Sequence, residues 1–116
     1  MKDLEVQTGR ERLPPRRSSV TETILWGNHA INVTFGFNAH GRIAEVFAGN
    51  GDGNDLAHLT NDAAIVLSIA LQQGVSLTQL NHSLGTVPAW DGADAPASLI
   101  GAIVAHAITL EQELWA

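Results

Sequence analysis

From residue 29 to residue 37 the chain alternates strictly. Ile31, Val33, Phe35 and Phe37 fall on one side, Ala30, Asn32, Thr34 and Gly36 on the other. A period of two predicts a strand with one buried face. Residues 20–26 and 42–48 have the same β-branched and aromatic character, and Gly27-Asn28 and Asn38-Ala-His-Gly41 punctuate the three runs as turns. Connections this short make an antiparallel meander with one apolar side. Gly36 inside the second strand points to a bulge or a close backbone approach.

After Gly49 the period changes. Residues 56–73 read as a helix that is apolar on nearly every side, with Leu59, Ala63, Ile65, Val66, Ile69 and Ala70 leaving little room for a wet face. Such a helix is expected at the centre of a fold, covered on more than one side, with Phe35 and Phe37 beneath it. Asn61-Asp62 offers a point where it could restart after a first turn, and Gly74 is a good residue to end it. Ser76-Leu-Thr-Gln79 is a capping box, so a short helix follows at 77–84 with Leu77, Leu80 and Leu84 inward. Residues 86–95, with Pro88, Trp90 and Asp91-Gly92, read as a loop, and Asp94 before Pro96 as the N-cap of a last helix at 97–114. That helix has no charge from Ala97 to Leu110, a run shorter than the ~20 apolar residues of a membrane span. The fold class is therefore α+β: a three-stranded antiparallel β-meander followed by two to three helices, packed as a two-layer domain.

Length and charge divide the chain in two. Its 116 residues suit a single core. Residues 1–19, broken by Gly9, Pro14-Pro15 and Ser18-Ser19, read as a flexible basic arm, and 20–116 as the one domain. Residues 1–17 carry five basic side chains against three acidic, a net of +2; residues 18–116 carry Arg42 against nine acids, a net of −8. The acidic body is expected to repel nucleic acid. There is no cysteine, which excludes disulfides, thiolate nucleophiles and zinc fingers, and the first residues lack the apolar run of a secretory signal. These features predict a cytoplasmic protein with no membrane contact.

Candidate chemistry is sparse. Gly49-Asn-Gly-Asp-Gly-Asn-Asp55 resembles a calcium loop, but counting from Asn50 puts Asp55 where an EF-hand needs glycine and Asn61 where it needs glutamate. No metal site, cofactor or calcium-dependent folding is expected. The loop's backbone N–H groups beside a helix start could cradle an anion, although it has no P-loop lysine. Arg42, Asn50, Asn54 and His58, together with Arg10, Arg12, Arg16 and Arg17 of the arm, are the candidate ligand-binding residues. Asp55, His58 and Asp62 could form a loose metal or acid–base cluster; His106, in the apolar last helix, reads as a satisfied interface histidine. There is no Gly-x-Ser-x-Gly elbow, and Ser68 and Ser98 read as small packing residues.

Arg10-Glu-Arg-Leu-Pro-Pro-Arg-Arg17, the Gly41-Arg-Ile-Ala-Glu-Val-Phe47 strand and Asn61-Asp-Ala-Ala-Ile-Val-Leu-Ser-Ile-Ala-Leu-Gln-Gln-Gly74 occur in that order. Together they resemble the TSCPD domain, over roughly residues 10–105, and Ala95-Pro-Ala-Ser-Leu-Ile-Gly-Ala-Ile103 resembles the end of its short forms. That domain occurs as a C-terminal module of cobalamin-dependent ribonucleotide reductases and as short stand-alone bacterial or phage-borne proteins. The resemblance implies a meander packed by helices and no activity. The cysteines of the reductase-linked forms are absent here, so no thiol redox role carries over. The expectation is a non-catalytic binding or regulatory protein for a nucleotide-like anion. It would work as a homodimer or higher oligomer through the last helix, whose apolar positions exceed one stripe and whose Ala97, Gly101 and Ala105 permit close approach. The alternatives are a protein-interaction or inhibitor protein acting through the arm or the C-terminal helix, and a metal-assisted hydrolase at Asp55, His58 and Asp62.

Overall fold

A computed structural model describes Leu13, residues 18–49 and residues 54–115. Three strands form the expected meander: β1 Ser19–Trp26, β2 His29–Phe37 and β3 Ile43–Ala48. β1 pairs with β2 from Ser19↔Gly36 to Trp26↔His29, and β2 with β3 from Val33↔Ala48 to Phe37↔Ile43, all antiparallel. The β2–β3 register shifts between Gly36 and Phe37, the irregularity that Gly36 anticipates, and it leaves Ala44 as an extra residue on β3. The β2–β3 turn is held by Asn38 Oδ1, which accepts from the N–H groups of His40 and Arg42 at 2.9 and 3.0 Å. Gly41 is required there twice over. Its φ is +78°, and an added Cβ would lie 2.5 Å from the Trp115 ring.

One sheet face is the core, built on Ile24, Ile31, Val33, Phe35 and Val46. The other is polar and uncovered: Thr21 and Thr34 hydrogen-bond at 2.7 Å and Thr23 donates to Asn32 at 2.9 Å, with Leu25 and Phe47 exposed. Among the described residues the helices therefore lie on one side only, giving two layers.

Among the described residues three helices follow: α1 Asp55–Gln72, α2 Leu77–Ser83 and α3 Leu99–Trp115. α1 is continuous through Asn61-Asp62, and it ends at Gly74, whose φ of +96° lets Val75 N–H reach the Ala70 carbonyl at 3.0 Å. Ser76 caps α2 by accepting from Gln79 N–H at 3.0 Å.

Residues 86–95 are not a plain loop. β4 Thr86–Pro88 and β5 Asp94–Pro96 form a small antiparallel hairpin of their own. Three-residue strands that each end in proline show no alternation, so the hairpin has no periodic signal. Asp94 consequently lies in β5 and does not cap the last helix. Ser98, far from being a packing residue within that helix, precedes it and caps it by accepting from Gly101 N–H at 3.1 Å.

The two long helices sit differently from expectation. α3 crosses the sheet: His106 bonds Glu22 of β1 and stacks on Phe35 of β2 at 6.0 Å, and Glu111 Oε2 accepts from Ile43 N–H of β3 at 2.7 Å. A helix that packs on Phe35 is thus α3, which was not the helix expected there. α1 instead runs along β3, the sheet's edge, and is covered on one side only. Thr60, Ala64, Leu67, Ser68 and Leu71 are buried, while Leu59, Ile65, Val66 and Ile69 are exposed.

Candidate functional site

The seam between α1 and β3 explains why α1 lies where it does. An edge strand presents unpaired backbone groups. Ser68 Oγ accepts from Val46 N–H at 2.8 Å and lies 3.1 Å from the Val46 carbonyl, and Gln72 Nε2 donates to the carbonyl of the extra residue Ala44 at 2.9 Å. Four helical residues advance about 6 Å and two strand residues about 6.6 Å, so an i, i+4 pair on a helix matches an i, i+2 pair on a strand. Ser68 and Gln72 thereby act as a side-chain substitute for a fourth strand. The signal for this was present: both are polar residues at helical positions that share a face with Ala64, Leu67 and Leu71.

Because α1 is pinned by that face, its opposite face is free. Leu59, Asp62, Val66, Ile69 and Gln73 follow one another at spacings of three and four, the pattern of a helix seam that meets another helix. Leu59 is 68% exposed and Val66 67%. In contrast, the face of α3 expected to bind a partner is used within its own chain: Leu99, Ile103, Val104, Ala107 and Leu110 are buried, and Ile100 and Ile108 pack against the same core.

Of the predicted ligand residues, the three that lie among the described residues do not converge within one protomer. Asn54 caps α1 by accepting from Ala57 N–H at 2.8 Å, and His58 is exposed one turn further on. Arg42 lies at the other end of the helix, beside the start of β3, with its guanidinium 3.8 Å from Glu111 Oε1. α1 runs antiparallel to β3, so about 20 Å of helix separates His58 from the Gln72 end where Arg42 sits. Asn50, Arg10, Arg12, Arg16 and Arg17 lie outside the described residues. Asp55, His58 and Asp62 share the exposed side of α1, and among the described residues no three His, Asp or Glu side chains are grouped to hold a metal ion. His106 is hydrogen-bonded to Glu22 between two elements of one chain. Among the described residues no helix is long and apolar enough to cross a membrane.

These elements define a small two-layer α+β domain in which a helix blocks one sheet edge and leaves its own apolar face uncovered. The TSCPD domain model matches residues 5–111. The chain belongs to the TSCPD domain family. A vitamin B12-dependent ribonucleotide reductase of Bradyrhizobium diazoefficiens is 33% identical to it over 75 residues, which is 64% of this chain and 6% of that protein. The chain thus spans a small fraction of that relative's length. No solved structure matches it.

Proposed function

We propose that this chain is a non-catalytic binding and regulatory protein of the cytoplasm that works as a homo-oligomer and takes a small nucleotide-like anion. The observation that carries the reading is the uncovered apolar stripe of α1, with Leu59, Val66 and Ile69 on one line. An exposed helix face that carries Leu59, Val66 and Ile69, with Asp62 the one charge among them, calls for a partner, and a symmetric dimer is the commonest answer. An antiparallel α1–α1 pairing centred on Val66 also repairs the split site. It lays the Arg42 end of one protomer against the partner's Asn54 and His58. A guanidinium then faces a helix N-terminus across the interface, and the anion's charge is met from both sides. The arginines of the arm, Arg10, Arg12, Arg16 and Arg17, add positive charge to a body that is otherwise acidic. Binding without turnover suits sequestration, for example by a phage-borne protein that withdraws a signalling nucleotide from its host.

A second reading, a protein partner meeting the arm or the end of the last helix, has one observation in its favour: Leu114 and Trp115 are exposed at the end of α3.

Sedimentation equilibrium at micromolar concentration, paired with native mass spectrometry for a co-purifying ligand, tests the proposal. The parent is expected to be a dimer or larger, and Val66→Glu a folded monomer that no longer binds nucleotide. A parent that stays monomeric across the concentration range overturns the dimer. A dimer that binds no nucleotide overturns the ligand.

A further inference from the structure

A cavity of about 260 Å³ opens between α2, the β4–β5 hairpin and α3, on elements that the α1 stripe does not use. Its lining includes the apolar residues Leu84, Pro96, Gly101 and Ala105, and the last two stand one turn apart on α3. The sequence spacing of Gly101 and Ala105 suggested room for another helix; the structure gives that room to the hairpin and to this cavity. A Cβ on Gly101 would lie 3.3 Å from Pro96 Cβ, so the hairpin packs closely against α3 at this position. Gly85 completes the closure by accepting from Ala97 N–H at 3.0 Å.

Three of the lining residues have polar side chains and come from three separate elements: Asn81 of α2, Thr86 of β4 and Asp94 of β5. Among the described residues none of the three is hydrogen-bonded to another protein side chain or backbone group through its own side chain. A mainly apolar lining with a few polar groups is the usual make-up of a small-molecule site, and the volume lies just below the ~300 Å³ of the smallest such pockets, which suits a single small ring. The charge of the wall selects the ligand. It contains one carboxylate and no cation. Phosphate and carboxylate ligands are therefore repelled, and a ligand that presents several O–H donors is favoured. One carboxylate can accept from two neighbouring hydroxyls at once, as acidic residues do for ribose in dinucleotide folds.

We propose that this cavity binds a single uncharged sugar ring through vicinal hydroxyls. Asp94 accepts both hydroxyls. Asn81 and Thr86 set the ring's orientation, and its C–H face lies on Leu84 and Pro96. A free sugar and the ribose of a nucleoside share this chemistry. The site stands whether or not the proposed anion site at α1 exists.

Saturation-transfer NMR on the full chain tests it with D-ribose, adenosine, 2′-deoxyadenosine and AMP as probes. Transfer to the sugar protons is expected from ribose or adenosine with Kd of about 1 mM or tighter. Loss of the 2′-hydroxyl should weaken adenosine at least tenfold, and AMP should bind no tighter than adenosine. Ribose binding alone identifies a free-sugar site; adenosine binding far above ribose identifies a nucleoside. Asp94→Asn, at an exposed position, should leave the melting temperature unchanged and remove the binding, and Ala105→Leu should fill the cavity. The proposal is overturned if neither ribose nor adenosine shows transfer, if AMP binds tighter than adenosine, or if binding survives in a folded Ala105→Leu variant.

Discussion

α1 and α3 are nearly the same length, 18 and 17 residues, and both are strongly apolar, yet they meet opposite fates. α3 has no charge between Leu99 and Leu110 and is enclosed by its own chain; Ile103 and Ala107 are wholly buried. α1 carries two charges, at Asp55 and Asp62, and still shows Leu59 and Val66 to solvent. Position explains the difference. A helix laid across a sheet face meets side chains from every strand, as α3 meets Glu22, Phe35 and Ile43. A helix laid along a sheet edge meets one strand on one side. Apolar content says that a helix needs cover, and placement decides whether its own chain provides it.

The largest effects should separate the two helices. Ile103→Glu places an unpaired charge in the core and should cost several kcal/mol, enough to unfold the domain; Leu67→Asp, on the buried face of α1, should do the same. Val66→Glu should leave the urea midpoint of the isolated protomer almost unchanged. If Val66→Glu unfolds the chain as readily as Ile103→Glu, the outward face of α1 is not free and the comparison fails.

A smaller change sharpens the account of what pins α1. Ser68→Ala removes the acceptor of Val46 N–H from a buried seam, so equilibrium unfolding should show a loss of about 1–3 kcal/mol. Faster amide exchange at Val46 should accompany it. A loss below a few tenths of a kcal/mol, with Val46 still protected, would mean that apolar packing alone holds the helix to the edge.

Smallest is the Arg42–Glu111 contact. It is long and its guanidinium is largely exposed, so Arg42→Ala should cost at most about 1 kcal/mol in stability. Glu111→Ala should cost more, because Glu111 also accepts from Ile43 N–H in a part-buried position. Equal losses would show that the ion pair, and not the backbone bond, is what Glu111 contributes where α3 meets β3.

Much of the fold was legible because its signals are local. The alternation of residues 29–37 requires a strand with one apolar face, Ser76 to Gln79 can cap the start of a helix, and Gly74 can end one; each needs only a few neighbouring residues. The meander, the three helices and their order follow from such signals, to within one or two residues at each end. The β4–β5 hairpin was not legible, since six residues and two prolines carry no period.

The candidate sites depended more on tertiary structure. Arg42, Asn54 and His58 are close in the sequence, and the antiparallel helix leaves Asn54 and His58 about 20 Å from the end where Arg42 sits. Asn81, Thr86 and Asp94 sit on different elements and share a cavity wall. Residue type and spacing determined which segments are strands and helices and which of their faces are apolar, because those properties are set by backbone geometry within a turn or two. Which apolar face is covered, and which polar side chains meet, was decided only by where α1 and α3 lie on the sheet, because that choice rests on contacts between residues far apart in the chain.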